Sequence, residues 1–131
     1  MNSRIKIIKG ISETINEEIH ENKEITNILK SLIDGVSIIN LKGIFTSVND
    51  NYVKTFGYCE EELLGKKWVK ILYKDDLPLA NECYENMLKN GKSESILRCI
   101  KKDGEIFYKT IILVSKFGMD EKMNGYYCLM K

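Results

Sequence analysis

The spacing of the apolar residues changes near residue 33, and this change limits the chain to a helix followed by a mixed domain. Residues 5–32 carry isoleucine or leucine at intervals of about three or four positions, the spacing of one helix face. From Val36 onward the apolar residues come in short runs bounded by turn residues, as strands do. The sequence therefore predicts an N-terminal amphipathic helix over residues 1–32 and an α+β domain over residues 33–131.

The N-terminal segment also follows a heptad pattern, which is typical of a coiled coil. The residues that we expect at a dimer contact are Ile8, Ile11, Ile15, Asn22, Ile25 and Leu29. A single asparagine at a core position of such a helix can set register and dimeric state at some cost in stability. Two alternatives stay open: a parallel coiled coil between two copies, and an amphipathic helix that lies on its own sheet. The two can coexist.

Capping residues and glycines divide the domain into short elements. The predicted helices cover residues 50–56, 60–64 and 76–90, and a short apolar turn covers residues 68–72. Their expected N-caps are Asn49, Cys59 and either Asp75 or Asp76. Gly57 and Gly91 should end the first and the last of these helices, because glycine adopts the left-handed conformation without strain.

Five strands are predicted, and two hairpins fix their order along the chain. Residues 36–39 and 44–48 form the first hairpin, residues 95–102 and 105–116 form the second, and residues 125–131 form the last strand. Asp103-Gly104 indicates a two-residue turn, which would place Cys99 opposite Tyr108 and Leu97 opposite Thr110. Both faces of this hairpin carry apolar residues, so we expect the N-terminal helix or a partner subunit to cover the outer face.

Charge and cysteine content exclude several classes of protein. The chain has 20 basic and 19 acidic residues, a net charge of +1, and no run of like charges that would bind nucleic acid or an anionic membrane. The apolar runs are too short to span a membrane, and no signal peptide is evident, so a cytoplasmic location is expected. The four cysteines lie on separate predicted elements without a C-x-x-C pair. We therefore expect reduced, buried thiols and no metal site.

The sequence contains no combination of residues that is typical of a catalytic site. His20 is the one histidine, and it lies on the N-terminal helix outside the domain. No Ser-His or Cys-His arrangement can therefore form within residues 33–131. The glycines stand singly at the ends of predicted elements, unlike those of a phosphate-binding loop. The sequence favours a protein that is not an enzyme.

The order of these signals between Asp34 and Gly104 resembles that of the PAS domain family, and the resemblance covers residues 30–131. It implies a five-stranded antiparallel sheet with short helices on one face. It also implies a sensing or dimerisation role as the input module of a larger signalling protein, such as a two-component sensor histidine kinase, with a downstream signalling domain. A further expectation from relatives is a charge pair between Glu61 or Glu62 and Lys101 or Lys102.

The resemblance also allows the cofactors of the family to be compared with this sequence. Flavin photosensors carry a reactive cysteine shortly after the position of Gly65, where this chain has Lys66-Lys67-Trp68. Haem-binding relatives carry a histidine on the long helix, where residues 79–90 offer Cys83 and Met87. The sequence therefore identifies no particular cofactor, and binding of an unidentified small molecule stays open. The alternative function is a redox sensor that acts through a flavin, a haem or a cysteine thiol such as Cys59 or Cys83.

Matching the second hairpin to the family gives a candidate ligand pocket between the sheet and the long helix. Its predicted residues are Ile39, Tyr84, Met87, Leu97, Cys99, Tyr108, Thr110 and Ile112. These side chains are mostly apolar, as is common in small-molecule sites. The same pattern fits an ordinary packed core, and the sequence leaves both readings open.

Overall fold

The computed structural model describes residues 35–131, which form an antiparallel sheet with helices on one face. The strands are β1 Gly35–Asn40, β2 Phe45–Val48, β3 Lys92–Ile100, β4 Ile106–Phe117 and β5 Met123–Met130. The α-helices are α1 Asp50–Phe56, α2 Glu60–Leu63 and α3 Leu77–Asn90, with 3-10 turns at Trp68–Ile71 and Lys74–Asp76. The predicted dimer residues Ile8, Ile11, Ile15, Asn22, Ile25 and Leu29 lie outside the described residues.

The sheet has five strands in the order β2-β1-β5-β4-β3, and each neighbouring pair is antiparallel. The last strand, β5, lies at the centre, between β1 and β4. Every helix within residues 35–131 lies in the connection between β2 and β3. The predicted five-stranded antiparallel sheet is confirmed. Within residues 35–131, no helix has both the length and the apolar character needed to cross a membrane.

Local capping determines where the helices begin and end. The Asn49 carboxamide oxygen accepts hydrogen bonds from the backbone N–H of Tyr52 at 3.0 Å and from that of Val36 at 3.1 Å. Helix α1 is therefore attached to β1 at its first turn. Gly57 and Gly91 follow α1 and α3 with φ of 76° and 81°, the left-handed conformation predicted for them.

The predicted register of the second hairpin is wrong by one residue. Cys99 pairs with Phe107 and Leu97 pairs with Lys109, instead of with Tyr108 and Thr110. The turn has three residues between the paired ends, because the Lys101 N–H donates to the Glu105 carbonyl oxygen at 2.9 Å. Gly104 occupies the left-handed position of this longer turn, with φ of 92°. A shift of one residue moves every side chain of β4 to the opposite face.

Two clusters of buried apolar side chains lie on opposite faces of the sheet. The larger cluster lies on the inner face, against the helices, and includes Ile39, Tyr52, Met87 and Cys128. The smaller cluster, called here the outer cluster, consists of Val36, Ile38, Val114, Tyr127 and Leu129, with Ile112 packed against it. Both faces of β4 carry apolar residues, as the sequence predicted. The residues of β4 that face the helices are not the predicted ones, because Ile111 and Leu113 lie on the inner face.

Candidate functional site

A cavity of about 30 Å³ lies between the inner face of the sheet and the helices. The sheet lines it with Ile39, Leu97, Cys99, Ile111, Leu113, Tyr126 and Cys128, and the helical connection adds Tyr52, Trp68, Ile71, Leu72, Ala80, Cys83 and Tyr84. Nearly all of the atoms that face the cavity are apolar. A cavity of this volume has room for one or two water-sized groups, and an engineered cavity that binds benzene is about 150 Å³.

Four of the eight predicted pocket residues line this cavity. They are Ile39, Tyr84, Leu97 and Cys99. Met87 is fully buried in the same core cluster but does not line the cavity. The structure thus brings the β1, β3 and α3 members of the prediction together.

The three predicted residues from β4 lie on the other face of the sheet, and their assignment to the pocket is corrected here. Tyr108 is 70% exposed, Thr110 is half-buried, and Ile112 packs against the outer cluster. Ile111 and Leu113 take their place in the cavity wall. The cause is the one-residue register error, since Ile111 and Leu113 alternate with the predicted residues along β4.

The sequence prediction placed no residue of the 3-10 turn at Trp68–Ile71 or of the strand β5 in the pocket, although both line the cavity. The turn is attached to β1–β2, because the Trp68 N–H donates to the Gly43 carbonyl oxygen at 2.9 Å. It is attached to β3 by a bridge between Leu72 and Cys99. These are long-range contacts, so no local pattern shows them. The apolar run of residues 68–72 was the available signal.

Three of the cysteines line the cavity as protonated thiols. Burial raises the pKa of Cys99 to about 12 and that of Cys128 to about 12. Burial also raises the pKa of Cys83, whose thiol lies 3.0 Å from the Ser93 hydroxyl oxygen. Thiolates are the reactive form of cysteine, so these pKa values disfavour nucleophilic chemistry in the cavity.

Cys59 precedes α2 but does not gain the acidity that a helix N-terminus can give. Its thiol lies 2.9 Å from the Glu62 carboxylate, and this hydrogen bond raises the pKa of Cys59. Helix α2 has four residues, and three glutamates occupy its first turn. All four cysteines are free. Within residues 35–131, no group of three or more His, Cys, Asp or Glu side chains is placed to hold a metal ion.

Two buried hydroxyl groups lack hydrogen-bond partners within residues 35–131. They belong to Ser37 on β1 and Tyr52 on α1. Both residues are fully buried, and Tyr52 lines the cavity. Buried hydroxyls without partners are uncommon in folded proteins, and each one calls for an explanation.

A charged pair holds the second 3-10 turn against the edge of the sheet. The Asp76 carboxylate is buried and accepts hydrogen bonds from the Arg98 backbone N–H at 2.6 Å and from its guanidinium at 2.6 and 3.1 Å. The Arg98 side-chain hydrogen bonds lower the pKa of Asp76, as does the backbone N–H. The guanidinium also lies over the Tyr73 ring, 4.8 Å from its centroid. This pair fixes residues 73–76 beside β3 and so positions the start of α3.

The charge pair expected from relatives is present between Glu62 and Lys102. Their closest N–O distance is 2.8 Å. Hydrogen bonds from the Cys59 thiol, from Lys102 and from the Cys59 backbone lower the pKa of Glu62 to about 2. The backbone N–H of Lys102 also donates to the Phe56 carbonyl oxygen at 2.9 Å. The pair therefore links the start of α2 to the turn between β3 and β4.

Comparison with known proteins identifies the family. A model of the PAS fold matches residues 45–114, and the chain belongs to the PAS fold family. The Period circadian protein of Drosophila pseudoobscura pseudoobscura is 32% identical over 59 residues, which are 45% of this chain and 5% of that protein. The match therefore spans a small part of that relative.

Solved structures share the fold at low sequence identity. The PAS domain of a protein from Colwellia psychrerythraea superposes with a TM-score of 0.70 and 20% identity, covering 82% of this chain and 95% of that chain. A light-oxygen-voltage domain studied with a flavin analogue superposes with a TM-score of 0.67 and 16% identity, covering 82% and 83%. The predicted PAS resemblance is confirmed.

Proposed function

We propose that this chain is a sensor and dimerisation module that serves as the input of a larger signalling protein and binds a small molecule in its cavity. The observation that carries this proposal is the apolar cavity that lies between the sheet and the helices, with Tyr52 and Tyr126 among its lining residues. Mostly apolar cavities with a small number of polar groups are typical of small-molecule sites. The chain itself performs no catalysis in this proposal, and a downstream domain such as a histidine kinase supplies the output.

The position of the cavity supports a route from ligand to partner. Tyr126 and Cys128 on β5 line the cavity, whereas Tyr127 and Leu129 on the same strand belong to the outer cluster. Side chains alternate between the faces of a strand, so a shift of β5 on ligand binding moves both faces together. A packed sheet transmits such shifts because its interior has few voids.

Homodimerisation is proposed through residues 1–32 and the outer face of the sheet. The heptad pattern of residues 8–29 provides one contact. The outer face adds apolar side chains that are exposed within one copy, Ile96 at 64% and Tyr108 at 70%. A contact between copies beside β5 would give the ligand a direct effect on subunit pairing. We propose a cytoplasmic location and no binding to nucleic acid, in agreement with the net charge of +1.

The cofactor-binding redox sensor is the alternative, and the cavity does not favour it. A flavin does not fit a space of about 30 Å³ with an apolar lining. The position after Gly65 is Lys66, not a cysteine. The thiols in the cavity are held in the protonated form, as their raised pKa values show.

Mass spectrometry of molecules extracted from the purified full chain, together with its visible absorbance, tests this proposal. We expect no visible absorption band and a small organic molecule recovered in proportion to protein. Stoichiometric flavin or haem, with visible bands, would support the redox alternative instead. Recovery of no molecule, with no ligand that raises the melting temperature, would contradict sensing and leave the dimerisation role.

A further inference from the structure

The outer face of the sheet divides into a buried part and an exposed part. Tyr127 of the outer cluster is 1% exposed within one copy, and its strand partner Val114 is 3% exposed. Ile96 and Tyr108 lie on the same face, nearer the β3 edge, and are exposed. An uncovered sheet face leaves its side chains in contact with water. The buried part therefore needs a cover that the exposed part lacks.

Residues 35–131 do not supply this cover. The inner cluster includes residues of all three helices, whereas every member of the outer cluster belongs to β1, β4 or β5. The outer cluster also lies at the end of the sheet where β1 begins, because Val36 is the second residue of β1 and pairs with Leu129. The segment that precedes Gly35 in the sequence therefore joins the sheet beside this cluster.

The sequence directly before β1 has an apolar stripe of the width that a core-facing helix needs. Its members stand at positions i, i+3, i+4, i+7 and i+8, and they are Ile25, Ile28, Leu29, Leu32 and Ile33. This spacing gives an apolar face at least about 100° wide, whereas a coiled-coil seam is narrower. Residues 8–15 follow the narrower spacing, with Ile8, Ile11 and Ile15. The two parts of the N-terminal segment are thus suited to different contacts.

We propose that residues 25–33 form a helix whose apolar face covers the outer cluster of the same copy and leaves Ile96 and Tyr108 open beside it. The inference deepens the proposed dimerisation function, because it leaves residues 8–22 for the contact between copies. That second assignment rests on the proposed function, whereas the cover within one copy does not.

The dimensions of such a helix match those of the outer cluster. A helix over residues 25–33 extends about 13 Å. The cluster spans β1, β5 and β4, three neighbouring strands of which the outer two lie about 10 Å apart. Asp34 alone separates Ile33 from Gly35, so the α carbons of these two residues are at most about 7 Å apart. So short a link favours a contact within the copy over one with a partner.

The cover connects the cavity to the contact between copies. Tyr126 and Cys128 line the cavity, and they alternate along β5 with Tyr127 and Leu129 of the outer cluster. A movement of β5 on ligand binding therefore displaces the helix that packs on the cluster. Because residues 8–22 precede this helix in the chain, its displacement changes how the coiled-coil segments of two copies meet.

Nuclear magnetic resonance of the full chain tests this cover. We expect nuclear Overhauser contacts between the methyl groups of Leu29 or Leu32 and the ring of Tyr127. In a mixture of isotope-labelled and unlabelled copies, these contacts should arise within one copy and not between copies. Their absence would overturn the proposal, and contacts that arise between copies would assign the cover to the partner. A chain that sediments as a monomer but keeps the contacts would refute the proposed dimerisation and leave the cover intact.

Leu29→Asp tests the same contact through stability. The outer cluster is apolar, so a charge buried against it is strongly unfavourable, and the melting temperature should fall by roughly 5 °C or more. Asn27→Asp is the matched control, because it adds the same charge on the opposite side of the helix and should change the melting temperature by less than about 2 °C. Ile15→Asp should weaken association in sedimentation without lowering the melting temperature. Equal melting temperatures for Leu29→Asp and the parent would contradict the cover.

Discussion

Two glycines allow backbone segments around the cavity to approach closely. A β carbon on Gly125 would lie 2.5 Å from the Ile39 carbonyl oxygen, and one on Gly35 would lie 3.0 Å from the Tyr52 α carbon. Both contacts are with backbone atoms, which cannot rotate away as a side chain can. Because Ile39 and Tyr52 line the cavity, these two glycines help to fix its walls.

Substitution of Gly125 by alanine should therefore destabilise the fold. The added methyl group must push β1 and β5 apart, and overpacking of this kind costs about 1 to 3 kcal/mol. Urea unfolding of Gly125→Ala against the parent measures this loss. Gly118→Ala is the control, since its β carbon would meet movable side-chain atoms of Asn124 and Asp120 at 3.1 Å. Equal stability of the two variants would contradict the close approach of β1 and β5.

At the scale of helices and strands, the features that could be predicted from the sequence are those that nearby residues determine. The bounds of α1 and α3 follow from Asn49, Gly57 and Gly91, whose effects act within one helical turn. The register of β3 and β4 changes if the turn between them is one residue longer. Asp103-Gly104 is compatible with both a two-residue and a three-residue turn. Four of the eight residues predicted for the pocket therefore line the cavity, and the three from β4 lie on the other face of the sheet.

The buried face of α3 shows the same limit. Helical spacing predicts an apolar stripe of Leu77, Ala80, Tyr84, Met87 and Leu88. Ala80 and Met87 are buried, but Leu77 and Leu88 are exposed, and Cys83 is buried between them. A period of 3.6 residues allows more than one face, and the face that is buried depends on how α3 crosses the sheet. Asp76 and Arg98 fix that crossing by tying the start of α3 to β3.

The Asp76–Arg98 pair should make stability depend on pH in acid. Its hydrogen bonds to Arg98 lower the pKa of folded Asp76, while an unfolded aspartate has a pKa of about 3.9. Below about pH 4 the unfolded chain therefore binds a proton that the folded chain does not, so the stability from this group is lost as pH falls through the folded pKa.

Urea unfolding of Asp76→Asn from pH 6 to pH 2 tests this contribution. The variant should be less stable than the parent at pH 6, and the difference should shrink toward pH 2. The pKa of Glu62 is also lowered, to about 2, so part of the loss of stability in acid remains in both proteins. Asp75→Asn removes the same charge from the exposed neighbouring residue and should retain the stability of the parent at pH 6. A constant difference between Asp76→Asn and the parent across this range would contradict the assignment.

At the scale of the whole molecule, β5 connects the cavity to the surface where we propose that copies meet. It is the central strand, with Tyr126 and Cys128 toward the cavity and Tyr127 and Leu129 in the outer cluster. Within residues 35–131, only the sheet lies between the cavity and the outer cluster. Ligand sensing and dimerisation are therefore coupled in this account by one strand.

Deletion of residues 1–32 should convert a dimer into a monomer. The heptad residues of this segment provide the proposed contact between copies, and the outer face by itself offers scattered exposed residues such as Ile96 and Tyr108. Sedimentation of the full chain and of residues 33–131 measures the change. In the full chain, Asn22→Leu should strengthen association while loosening its register or its oligomer number. A dimer that survives the deletion would exclude the coiled-coil contact.

The central claim is that the cavity is the place where this PAS domain binds its ligand, and Cys99→Val tests it most directly. The substitution adds about one methyl-sized group to a cavity of about 30 Å³, so it should fill the space and change stability by less than about 1.5 kcal/mol. Thr110→Leu adds apolar volume on the outer face and serves as the control. The measurement is the quantity of small molecule recovered per protein from the parent and from each folded variant. We predict recovery from the parent and Thr110→Leu and at least a tenfold loss from Cys99→Val; undiminished recovery from Cys99→Val would place the ligand elsewhere and contradict the account.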